Sequence, residues 1–236
     1  MKELILLLGI SHLLGDFYFQ TNKMAEKKKQ KWPFLHSLIY MAMFVPIILN
    51  YEIMIGLRIG LIIGVGVTHG LIDRLFANPS KIKKYRFFID QFSHIVVLVL
   101  VFTLGQTKFN CQLITNYYKE LLLVGIMLLI LKPAAIAVNK VLLLNSDKDN
   151  EEAFKMDAGV IIGMIERLII VGMCILGDMG GIGFIIAAKT MVRYGEFAKE
   201  GTPDADTKLT RTKYLLGTLS SVAIALGCYG VWVVLR

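Results

Sequence analysis

Three histidine–aspartate pairs recur at a spacing of four residues: His12–Asp16, His69–Asp73 and Asp90–His94. Four residues turn an α-helix by about 400°, so both members of each pair face the same way. Imidazole and carboxylate together suit borderline divalent ions such as Zn, Mn, Fe or Co. With three aspartates and three histidines, one ion with supporting partners or two ions could be held. Expected metal ligands are therefore His12, Asp16, His69, Asp73, Asp90 and His94, with Asp16, Asp73 and Asp90 also expected to act in catalysis. No HExxH string occurs, so no peptidase motif accompanies them. The same residues suit a proton or cation pathway, or a structural network in which Asp73 and Asp90 pair with Arg74 or Arg86. The fourth histidine, His36, and the amide Gln91 are expected on the substrate side, and Gln20 is expected to bond a helix end.

A second group lies in the C-terminal half. Glu166 and Arg167 fall mid-helix, and Lys189 and Arg193 form another i,i+4 pair. Arg167, Lys189 and Arg193 suit a phosphate or carboxylate, with Glu166 orienting one of them as a further catalytic group. The plainer alternative is snorkelling together with a salt bridge to Glu166. Lys132 precedes Pro133 inside an apolar stretch, where proline frees carbonyls that something else must bond. The string GDMGGIG at 177–183 reads as a tight turn, because it lacks a preceding strand and the Lys-Ser/Thr ending of a phosphate loop.

The elements that must position these groups are apolar. The chain has 236 residues, 56% hydrophobic and 19% charged, with net charge +8. Its mean hydropathy is +0.62. This excludes an ordinary soluble domain and predicts an all-α polytopic membrane bundle forming a single domain over 1–236. Eight transmembrane helices are expected, at 2–20, 34–51, 53–73, 87–104, 119–140, 158–177, 180–198 and 214–235. His12, Asp16 and Gln20 in the first helix, and the lack of a small-residue cleavage site, argue against a signal peptide. Cys111, Cys174 and Cys228 have no ligand spacing and predict neither a disulfide framework nor a thiolate site.

Lysine and arginine cluster in alternate connections, around 23–31, 74–86, 140–155 and 199–213. The positive-inside rule puts those loops in the cytoplasm and both termini outside, as expected for a multi-pass membrane protein. Every His/Asp pair then falls on the cytoplasmic half. Gly56, Gly60 and Gly64 give helix three a small-residue packing face.

Several ordered strings resemble a family of bacterial and phage integral membrane proteins known only as a domain of unknown function. They are HLLGDFYFQ (12–20), His36, HGLID (69–73), FFIDQFSH (87–94), IGMIERLII (162–170), IGFIIAAKTMVRYGEF (182–197) and YLLGTLSS (214–221). The resemblance implies a polytopic inner-membrane protein and brings no activity with it.

The functional expectation is a divalent-metal-dependent hydrolase working from the cytoplasmic side on a phosphate-bearing lipid or polar metabolite. The alternative is a proton- or cation-coupled transporter using the same residues. A third is a non-enzymatic accessory subunit. Expected partners are membrane lipids and an anionic small molecule or phospholipid; a homo-oligomer is compatible with the sequence, and nucleic acid is not expected.

Overall fold

The computed structural model describes residues 2–21, 31–76, 85–105, 112–144, 154, 156–199 and 205–236. The lysines at 23–29, 81–84 and 148–155, Cys111, and the side chains of Lys31 and Arg193 lie outside the described residues. Among the described residues every regular element is a helix. In order these are α1 (Lys2–Leu13), α2 (Lys31–Leu49), α3 (Ile55–Leu75), α4 (Arg86–Gly105), α5 (Gln112–Asn116), α6 (Tyr118–Ile130), α7 (Lys132–Leu144), α8 (Ala158–Leu176), α9 (Met179–Lys199) and α10 (Ala205–Leu235). Among the described residues four stretches are long and apolar enough to cross a membrane: Ile55–Leu75, Tyr118–Leu144, Ala158–Leu176 and Arg211–Leu235. Phe34–Leu49 and Met179–Val192 are shorter apolar helices.

The chain divides into two compact units, one built mainly from residues 1–128 and the other from 129–147 and 156–235. In the first, α1, α2, α3 and α4 close around Leu4, Leu8, Tyr40, Phe44, Ile47, Ile48, Tyr51, Val65 and Val101. Close approach of α2 and α3 depends on two glycines absent from the expected packing face. A Cβ on Gly66 would lie 3.0 Å from Met41 Cβ, and one on Gly70 would lie 2.6 Å from Ser37 Oγ. Gly66 and Gly70 are themselves a GxxxG pair, of the kind that lets membrane helices touch. Gly56, Gly60 and Gly64, by contrast, have nothing within 4 Å of their Cβ positions. The packing face expected there is therefore displaced toward the C-terminal turns of α3, beside His69 and Asp73.

After Leu13 the first helix widens into a π-turn, Leu14–Tyr18, closed by the bond from Phe19 N to Leu14 O at 2.9 Å. Gly15 lets this turn lie against α2, since a Cβ there would stand 2.7 Å from the Tyr40 ring. Tyr18 anchors the turn by donating to Leu128 O at 2.7 Å.

The second unit begins near the end of α6, and a break at Leu131, just before Pro133, separates α6 from α7. Arg167 of α8, 2% exposed, supplies the bonds this break needs. Its Nε donates to Ile130 O at 2.6 Å and its Nη1 to Ser221 Oγ of α10 at 2.9 Å. The 177–183 turn is as expected: Gly177 takes φ 80° to end α8. Asp178 Oδ1 accepts from Gly181 N at 2.9 Å, starting α9.

Candidate metal centre

All four histidines of the chain meet in the first unit, together with Asp16, Asp73, Asp90, Gln91 and Tyr40. They come from α1 and its π-turn, α2, α3 and α4. His12, His36, His69 and His94 are each no more than 6% exposed, and Asp16 and Asp73 no more than 8%. Buried carboxylates at this depth are stable only when paired or metal-bound.

The i,i+4 pairs are the looser contacts. His12 Nδ1–Asp16 Oδ2 is 3.9 Å, His69 Nε2–Asp73 Oδ2 is 3.7 Å and His94 Nε2–Asp90 Oδ1 is 3.8 Å. The shortest contacts run between helices. His69 Nε2 lies 3.0 Å from His36 Nε2, and Asp16 Oδ1 lies 3.3 Å from His36 Nε2 and 3.4 Å from His69 Nε2. Asp73 Oδ2 is 3.7 Å from both of those nitrogens.

Four donors thus face one another: Asp16 Oδ1, His36 Nε2, His69 Nε2 and Asp73 Oδ2. Nitrogen and oxygen donors hold zinc at about 2.0–2.2 Å, which in a tetrahedron separates neighbouring donors by about 3.3–3.6 Å. The five separations above, 3.0 to 3.7 Å, bracket that range. Asp16 Oδ1 is buried yet receives no hydrogen bond, although two imidazole nitrogens are near. Two buried triads, Asp16–His36–His69 and His69–Asp73–His94, offer ligand atoms that all lie within 4.8 Å of one another and could hold a metal ion.

The remaining members hold these donors in place. Gln91 Nε2 donates to Asp16 Oδ2 at 3.1 Å, which leaves Oδ1 aimed at the histidines. Gln91 Oε1 lies 3.3 Å from His12 Nε2, and Tyr40 Oη lies 3.0 Å from His12 Nδ1. The consistent assignment has His12 Nε2–H donating to Gln91 and Tyr40 O–H donating to His12 Nδ1. Both nitrogens of His12 are then engaged, and neither is free for an ion. The Tyr40 ring stacks on His69 with centroids 3.7 Å apart and planes 8° apart. His94 Nδ1 lies 3.2 Å from His69 Nδ1, behind the face that His69 turns to Asp16.

The geometry therefore gathers Asp16, Asp73, Asp90, His12, His69 and His94 in one cluster, with His12 in a supporting place. His36, expected on the substrate side, stands among the ligand atoms, and Gln91 orients a carboxylate. Tyr40 was not anticipated, although it lies four residues after His36 and repeats the spacing of the other pairs.

The C-terminal group belongs to the second unit. Arg167 spends its donors on Ile130 O and Ser221 Oγ. Lys189 Nζ pairs with Glu166 Oε2 and lies 5.8 Å from the Tyr214 ring centre. The backbone of Arg193 continues α9.

The profile of a family described as "protein of unknown function (DUF3307)" matches residues 4–123. The chain belongs to this family. The matched DUF3307 segment holds the whole cluster from His12 to His94, and none of Glu166, Arg167, Lys189 and Arg193. No curated protein and no solved structure gives a significant match.

Proposed function

We propose that the cluster binds a divalent transition ion, Zn, Mn, Fe or Co, and that the protein is a metal-dependent hydrolase of the bacterial inner membrane. The observation that carries this reading is the buried set Asp16 Oδ1, His36 Nε2, His69 Nε2 and Asp73 Oδ2, with five contacts of 3.0 to 3.7 Å among them and no hydrogen bond to Asp16 Oδ1. Beside four protein donors a water binds only where the ion takes a fifth or sixth ligand; such an ion lowers the pKa of that water, to about 7 in the zinc case, which supplies hydroxide near neutral pH. Asp16, His36, His69 and Asp73 hold the ion, and Asp90, at the more exposed edge of the cluster, receives the proton of the attacking water. The substrate is a phosphate-bearing lipid or polar metabolite approaching from the cytoplasm. On this reading eight helices span the bilayer, the basic loops are cytoplasmic and both termini are outside. The four long apolar helices and the Lys/Arg asymmetry support it.

The test is phosphate release from phosphate-bearing lipid in detergent micelles, with each metal added to purified protein. Metal-dependent release, lost in Asp73→Ala, is the expected result. A second reading, a proton- or cation-coupled transporter, has its own observation: His36, His69 and His94 form a hydrogen-bonded series of imidazoles. Ion flux into liposomes without any hydrolysis would select it over the hydrolase.

A further inference from the structure

His94 presents a second ring nitrogen that the four-donor site leaves unused. Its Nε2 is buried and receives no hydrogen bond. It lies 3.7 Å from Asp73 Oδ1 and 3.8 Å from Asp90 Oδ1. Asp73 thus turns one oxygen to the four-donor site and the other to His94. His94 Nε2 stands slightly farther from each of these two carboxylates than a tetrahedral ion requires, and three protein ligands would leave a coordination position open. The Asp90 side chain is 14% exposed, against 6% for Asp73, so this group lies nearer the surface.

The bond between His69 Nδ1 and His94 Nδ1 holds one hydrogen. An ion on His69 Nε2 puts that ring's hydrogen on Nδ1, from which it donates to His94 Nδ1. His94 then carries its own hydrogen on Nε2, closed to an ion. An ion on His94 Nε2 reverses every assignment: the hydrogen sits on His94 Nδ1, and His69 carries its own on Nε2. Filling both positions together would require an imidazole stripped of both hydrogens.

We propose that His94, Asp73 and Asp90 form a second, outer ion position that alternates with the four-donor site and loads it. This rests on the metal-binding reading above. Passage inward moves the bridging hydrogen from His94 Nδ1 to His69 Nδ1. The hydrogen of His69 Nε2 returns to His94 Nε2 across the Asp73 carboxylate, whose two oxygens lie 3.7 Å from these nitrogens. The two rings carry two hydrogens before and after, so no proton is gained or lost.

The test is titration of the detergent-purified full chain with Co(II), read by metal content and by ligand-field absorption. Wild type is expected to bind one Co(II) per chain. Asp16→Asn and His36→Gln, which touch only the inner site, should still bind one, with an altered spectrum and an affinity about 10- to 100-fold weaker. The double variant Asp16→Asn/Asp90→Asn should bind none. Circular dichroism and monodisperse elution identify any variant that fails to fold, and the two inner variants back each other up. Two equivalents in wild type, no binding by either folded inner variant, or binding by the double variant would each overturn alternation while leaving a metal site standing. No Co(II) in wild type would remove the metal-binding reading itself.

Discussion

At the scale of residues, the cluster is ordered by which nitrogen or oxygen each partner leaves free. His12 bonds Tyr40 and Gln91 through its two nitrogens and acts on the ion site through those partners, Gln91 on Asp16 and the Tyr40 ring on His69. His12→Asn is therefore expected to retain one ion per chain with affinity lowered about 10- to 100-fold, the usual effect of losing an outer partner. Complete loss of metal, by mass spectrometry of the purified variant, would make His12 a ligand. Tyr40→Phe keeps the ring on His69 but strands His12 Nδ1 without its donor. That variant should lose about 1–3 kcal/mol in denaturation, the cost of a buried acceptor left unsatisfied. The three i,i+4 pairs were legible because helical periodicity alone puts each pair on one face. His36 was harder to assign, since it has no aspartate four residues away. Its partners come from α3 and from the π-turn, and a contact between helices leaves no mark in local spacing.

Among elements, the close approach of α2, α3 and the π-turn decides whether the donors meet. Gly66→Ala would press its Cβ onto Met41 Cβ, an atom fixed by the backbone of α2. Overpacking of this kind costs about 1–3 kcal/mol, and separating α2 from α3 pulls His69 from His36, so metal should be lost as well. Gly60→Ala meets open space. It should keep the metal and gain up to about 1 kcal/mol from helix propensity. Thermal unfolding of the two variants side by side checks both; equal effects would contradict the packing assigned to Gly66. Arg167→Leu should destabilise the second unit by about 1–3 kcal/mol, because Ile130 O at the α6–α7 break loses its partner. The positions of the helices were readable from long apolar runs, and the break before Pro133 from proline chemistry. The π-turn was not, because the choice between i−4 and i−5 bonding at Leu14–Tyr18 is set by packing against Tyr40 and Leu128.

For the whole molecule, composition alone indicated an all-helical chain, and among the described residues four helices have the length and apolarity of membrane spans. The division into two compact units was not legible, since its boundary at residue 128 falls inside one continuous apolar stretch, Tyr118–Leu144. Nor could sequence show that Arg167 faces a helix break, because the receiving carbonyls lie 37 and 36 residues earlier. The central claim for the molecule is that side chains from three separate helical segments, the π-turn, α2 and α3, build one metal site. The most direct test is metal content, by mass spectrometry, of wild type beside His36→Ala and Asp73→Ala, each purified without chelator and checked for folding. One divalent ion per wild-type chain, lost in Asp73→Ala and weakly held in His36→Ala, is the predicted result. Wild-type protein free of metal after incubation with Zn, Mn, Fe and Co would contradict it.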